Sequence, residues 1–172
     1  MNRGFTLLEL LIVLSVFMIL LIWAAPNYQM LSEATKMRRL ASELNGIVLL
    51  GKSQAVLRRE RLWAHIILSE SASDDGRWRI ELTDSDIPET GNIIQKLDGQ
   101  PFSGLVITTN YSSDQISFDD VHGRPSSGHL RFYPVGHESK ALKLVSHTVS
   151  ARIRVCSDHE STLNYGYSVC GG

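Results

Sequence analysis

Cysteine is scarce: this 172-residue chain has two, Cys156 and Cys170. A disulfide-dense scaffold is therefore excluded, and so is a four-cysteine zinc site, since no second pair exists to complete one. Catalytic signatures are missing as well. There is no HExxH, no GxSxG and no phosphate-binding loop, and the scattered Ser, His and Asp residues have no spacing that argues for an enzyme. Five of the six histidines, His122, His129, His137, His147 and His159, fall in the last third of the chain, but no pair has the i, i+4 spacing of a ligand helix. Neither a metal nor a cofactor is expected.

Net charge is nearly absent too, at −1, but its distribution is uneven. Residues 31–61 carry seven Lys/Arg against three Glu, residues 62–130 carry eleven Asp/Glu against four basic residues, and residues 131–172 return to five basic against three acidic. A polyanion would meet the first or the last of these stretches, not the middle.

Charge is almost missing from residues 5–25, where Glu9 is the only charged side chain among 21 residues. A helix of that length is about 30 Å long, enough to span a bilayer. A carboxylate inside such a span costs about 2.5–3.5 kcal/mol, so Glu9 needs a partner. Cutting the chain after Gly4 would create one: a positive amine on Phe5, one helical turn from Glu9, able to pair with the Glu9 of a neighbouring copy. A secretory signal, by contrast, is cut after its apolar region and holds no acid within it.

The run Gly4-Phe5-Thr6-Leu7-Leu8-Glu9 resembles that of a type IV prepilin. The resemblance implies a leader over residues 1–4, cleavage between Gly4 and Phe5 by a prepilin peptidase, N-methylation of Phe5, and Glu9 as the fifth residue of the mature chain. Pro26 falls where such pilins often have a proline. It implies further that the chain sits in the bacterial inner membrane with its head in the periplasm, then joins other pilins in a cell-surface filament.

Beyond Pro26 the pattern stays helical. Ala34, Met37, Ala41, Leu44, Val48, Gly51 and Ala55 recur at steps of three and four, and Leu40, Ile47 and Leu57 widen the stripe. Residues 26–61 are expected as an amphipathic arm continuing the membrane helix, bent or loosened at Pro26, which has no backbone N–H to donate. From Leu62 the period changes to two. Short segments over 62–68, 77–82, 105–109, 115–118, 130–133, 142–149 and 153–155, separated by Asp/Gly/Pro turns, predict antiparallel strands. Between residues 84 and 100 the alternation fails, and Pro88, Gly91 and Gly99 predict an irregular connection. The fold class is α+β: a long N-terminal helix packed on an antiparallel sheet that forms one head over residues 62–172. The chain has no internal repeat.

Three passages of the head resemble the GspH/FimT/FimU branch of pilin-like proteins: Lys52-Ser53-Gln54-Ala55-Val56-Leu57-Arg58-Arg59, Ile116-Ser117-Phe118 leading to Gly123-Arg124-Pro125, and Ala151-Arg152-Ile153-Arg154-Val155-Cys156. The branch comprises minor pilins of type IV pili and a minor pseudopilin of type II secretion. In FimT-like proteins a G-R-x-R segment near the C-terminus is linked to DNA binding during uptake in natural transformation. Arg152 and Arg154 match its arginines, while Ala151 stands where that pattern has glycine. Two residues apart on a strand, the two arginines share a face. Lys140 and Lys143 precede them, so a row of phosphates on double-stranded DNA is the ligand this basic segment suits. In an oxidising envelope compartment Cys156 and Cys170 are expected to pair, a loop worth about 3 kcal/mol.

Overall fold

The computed structural model describes residues 6–69, 74–159 and 163–171, with residues 23–29 described as backbone only. It divides into two compact units, residues 1–35 and 36–172. One helix, α1 (Leu7–Arg58), is unbroken at Pro26 and belongs to both.

In the first unit the helix starts on a cap. The Glu9 backbone N–H donates to the Thr6 hydroxyl oxygen at 3.3 Å, the N-cap bond of a helix that starts Thr-x-x-Glu. All described side chains from Thr6 to Ile22 are exposed. Among the described residues no helix is long and apolar enough to cross a membrane.

In the second unit the helix is amphipathic. Met37, Leu40, Ala41, Leu44, Ile47, Val48 and Ala55 are buried. Leu57, expected in this stripe, is 76 % exposed. Ala55 is the last buried helical position, and the final turn projects past the core. The helix meets the sheets closely at Gly51, where a Cβ would lie 2.6 Å from the Phe118 ring. Phe118 is itself fully buried, so any larger residue at position 51 would push the helix away.

The strands are β1 (Leu62–Ile67), β2 (Arg79–Thr83), β3 (Ile93–Asp98), β4 (Leu105–Thr109), β5 (Gln115–Phe118), β6 (Gly128–Pro134), β7 (Leu142–His147) and β8 (Arg152–Ser157). They form two four-stranded sheets rather than one, ordered β3-β2-β1-β5 and β4-β6-β7-β8. All the strand pairs are antiparallel.

β3 lies inside the stretch expected to be irregular. It is an edge strand, exposed or half-buried throughout, and its pairing shifts register between Leu82 and Thr83. Its two core-packed residues, Ile94 and Leu97, are three apart across that shift, so the strand shows no simple alternation. The connection before it is closed by Asp84, whose carboxylate accepts the Asn92 backbone N–H at 2.7 Å and its side-chain amide at 2.8 Å. Trp78 and Phe102 stack in the core with centroids 6.0 Å apart. Leu105, Ile107, Leu130, Phe132, Leu142 and Leu144 of the second sheet join them under the helix stripe.

Candidate polyanion-binding face

The second sheet has one apolar face and one basic face. Leu130, Phe132, Leu142 and Leu144 turn to the core. The residues between them therefore turn outward. Register sets the rows of this outer face. Arg152 lies opposite His147. Arg154 lies opposite Val145, which is opposite His129. Cys156 lies opposite Lys143, which is opposite Arg131. Arg152 and Arg154 thus share one face, with Ile153 and Val155 packed against the core on the other.

The cations differ in what holds them. Arg152 is exposed, and among the described residues no hydrogen bond or ion pair engages it. Arg154 donates to the Gly171 carbonyl of the C-terminal segment. That segment is tied to β8 by the Cys156–Cys170 disulfide, with Cα atoms 5.0 Å apart. The Ser157 N–H donates to Ser168 at 2.7 Å, and the Cys170 N–H to Ser157 at 3.0 Å. A shallow groove of about 230 Å³ is lined by Val145, His147, Ser150, Arg152 and Arg154.

The two lysines are placed differently from the expectation. Lys143 is on the face, but its ammonium is 2.5 Å from the Asp158 carboxylate. Lys140 lies in a single 3-10 turn, Glu138–Lys140, that leads into β7. Arg152 is opposite the other end of that strand, about 17 Å away at the usual rise per strand residue. Lys140 and Arg152 therefore do not form one cluster, because the strand between them runs its full length.

Two face residues were not legible as site residues. Arg131 donates from Nε to Asp158 at 2.7 Å, and its guanidinium lies 4.5 Å from the Tyr133 ring centroid. Asp158 thus bridges Arg131 and Lys143. Partial burial pushes its carboxyl up, but the bonds from Lys143 and Arg131 outweigh this and hold it below the usual carboxylate range. The stability so gained is present above the ordinary Asp range and is lost as pH falls below it, through the lowered value. The parity of the strand carried a signal: Asp158 continues the series Arg152, Arg154, Cys156. Partial burial and the neighbouring Lys143 charge likewise lower the His129 pKa.

The three passages that carry the family resemblance converge on Lys52. A Cβ on Gly123 (φ +63°) would lie 2.4 Å from the Lys52 carbonyl oxygen, so the loop after β5 touches helix backbone there. Lys52 also donates from its ammonium to the Ala151 carbonyl at 3.3 Å. Asp119 holds the Gly123 loop by accepting the backbone N–H groups of Val121, His122, Gly123 and Arg124. These bonds, His122's foremost, keep its carboxyl below the usual range. Ala151 adopts φ +50°, the left-handed conformation that glycine takes most readily. The tight turn before Arg152 is formed without the glycine of the FimT pattern.

Gly4 and Phe5, the expected cleavage site, lie outside the described residues. Glu9 is exposed at the first turn of α1. Among the described residues no group of His, Cys, Asp and Glu is arranged to hold a metal.

Residues 1–25 match the prokaryotic N-terminal methylation motif. No curated protein is similar to the chain in sequence. Solved structures are similar in fold. The type IV minor pilin FimU of Pseudomonas aeruginosa, in two crystal forms, gives TM-scores of 0.57 and 0.54 at 16 % identity, covering 72 % and 69 % of this chain and 90 % of FimU in each. The minor pseudopilin EpsH of the Vibrio cholerae type 2 secretion system gives 0.50 at 15 % identity, covering 74 % of this chain and 99 % of EpsH. The class that this architecture defines is the type IV pilin-like α+β fold. Within it the chain has a fold similar to those of FimU and EpsH, and its N-terminus carries the methylation motif.

Proposed function

We propose that the chain is a minor pilin of a type IV pilus. In this reading it is cut after Gly4, methylated on Phe5, held in the inner membrane by residues 5–25, and recruited with other pilins to prime or join a filament. The observation that carries this is the joint presence of the methylation motif and the minor-pilin fold. Gly4→Val is expected to leave full-length precursor in the membrane, because the peptidase must approach the backbone where a side chain would obstruct it. Mass spectrometry that found a mature chain beginning with methylated Phe5 in this variant would refute the processing step. A role as a secretion pseudopilin is the second reading, favoured by the 99 % coverage of EpsH.

The second part of the proposal is that the head contacts double-stranded DNA weakly and without sequence preference, through Arg152 and Arg154. Their shared face, the exposure of Arg152 and the adjacent groove support it. Phosphates are the groups that such a row of cations can neutralise without a closed pocket. For the full chain in neutral detergent, Arg152→Gln with Arg154→Gln should weaken binding about equally for unrelated duplexes. The dependence on salt should become shallower by about two phosphate contacts. A double variant that binds like the parent would end the DNA reading and leave the filament role standing.

A further inference from the structure

On the basis of that polyanion reading, we propose that Arg131 and Lys143 form a second anion site of the phosphate class, filled in the resting protein by the chain's own Asp158 carboxylate.

The two cations are directly opposite each other on β6 and β7, an arrangement that is unfavourable for like charges unless an anion lies between them. Asp158 supplies that anion: one carboxylate oxygen takes Arg131 Nε at 2.7 Å and the other takes Lys143 Nζ at 2.5 Å. These are the contacts that two oxygens of a phosphate would make with a guanidinium and an ammonium. Asp158 does not belong to the strand. It follows β8, and its N–H donates to the Ala141 carbonyl at 3.0 Å.

Arg131 has supports besides Asp158. It donates to the Glu138 carbonyl at 3.4 Å and stacks over Tyr133. The cationic half of the site is therefore partly oriented without the carboxylate. All three side chains reach solvent, at 26 % exposure for Arg131, 25 % for Lys143 and 20 % for Asp158. Along β8 the face presents cations in successive rows: Arg152, then Arg154, then the Arg131–Lys143 pair beside Cys156. Rows two residues apart are about 7 Å apart. Asp158 engages both cations of the third row, and so confines the parent's contact to Arg152 and Arg154.

The test uses the full chain in neutral detergent, with a DNA duplex and inorganic phosphate as separate probes. Asp158→Asn should bind the duplex about tenfold more tightly at low salt, with a salt dependence steeper by about two contacts. Millimolar phosphate should raise the melting temperature of this variant and leave that of the parent unchanged. Adding Lys143→Gln to Asp158→Asn should remove most of the gain. Should the unpaired cations prevent Asp158→Asn from folding, the parent background still decides: there Lys143→Gln should change duplex affinity less than twofold, because Asp158 already occupies that ammonium. The inference is overturned if Asp158→Asn binds both probes like the parent, or if Lys143→Gln alone costs as much as Arg152→Gln. In either case a loss in the Arg152, Arg154 double variant would preserve the DNA reading itself, whereas no loss there would remove it.

Discussion

Replacing Glu9 by valine is expected to leave the chain inserted and processed but absent from sheared filaments, and replacing it by glutamine is expected to do the same. The pair of variants separates two roles. Thr6 accepts the Glu9 N–H, so Glu9 stands at N3, where a carboxylate can complete a capping box, a role that glutamine fills nearly as well. Its charge, by contrast, is what a neighbouring Phe5 amine would bind. On the membrane reading of residues 5–25, an unpaired carboxylate costs about 2.5–3.5 kcal/mol. A paired one is tolerated, and removing either partner leaves the other charge buried. Glutamine keeps the cap and loses the pair. Quantifying each variant in membrane and sheared fractions decides the matter. Recovery of Glu9→Gln at the parent's level with loss of Glu9→Val would assign Glu9 to capping. Recovery of both would refute the pairing altogether.

The helix and most strands were legible because burial imposes period on sequence. The stripe from Met37 to Ala55 is buried at the positions its spacing marks, and β4 and β5 begin and end where their residue types change. Legibility failed where burial does not reach. β3 is an edge strand whose residues are at most half-buried and whose pairing shifts register, and Leu57 sits in the last helical turn, where the hydrophobic pattern continues but the core does not. The division into two sheets is set by long-range pairing, such as β1 with β5 across fifty residues of chain, which local pattern does not encode. The candidate face was half visible. Strand parity placed Arg152 and Arg154 together, but the partners of each cation depend on register between strands. Asp158 on Lys143 and Gly171 on Arg154 are contacts across 15 and 17 residues, and no spacing rule leads to them.

Removing the Cys156–Cys170 bridge is expected to lower the melting temperature of the head by about 10 °C. A closed loop of this length restricts the unfolded chain by about 3 kcal/mol, and each kcal/mol shifts a domain of this size by roughly 3–5 °C. The segment it ties down has other holds. Besides the two backbone hydrogen bonds at Ser157, Arg38 donates to the Tyr165 carbonyl at 3.1 Å, the Asn164 side-chain amide donates to the Ser139 carbonyl at 2.9 Å, Arg154 donates to Gly171, and Tyr165 and Tyr167 pack against the core. Cys156 is fully buried, with its sulfur 3.7 Å from the Lys143 carbonyl, so a change there alters packing as well as the cross-link. Cys170→Ser is the cleaner variant because position 170 is only half-buried. Melting of the full chain in detergent should show the drop for Cys170→Ser, and a reductant should bring the parent down to the same value while leaving the variant where it was. If Cys170→Ser melts within about 2 °C of the oxidised parent, well below the shift a loop of this size predicts, the cross-link does not stabilise the head. The hydrogen bonds at Arg38, Asn164 and Ser157, with the packing of Tyr165 and Tyr167, would then be sufficient to hold the C-terminal segment in place.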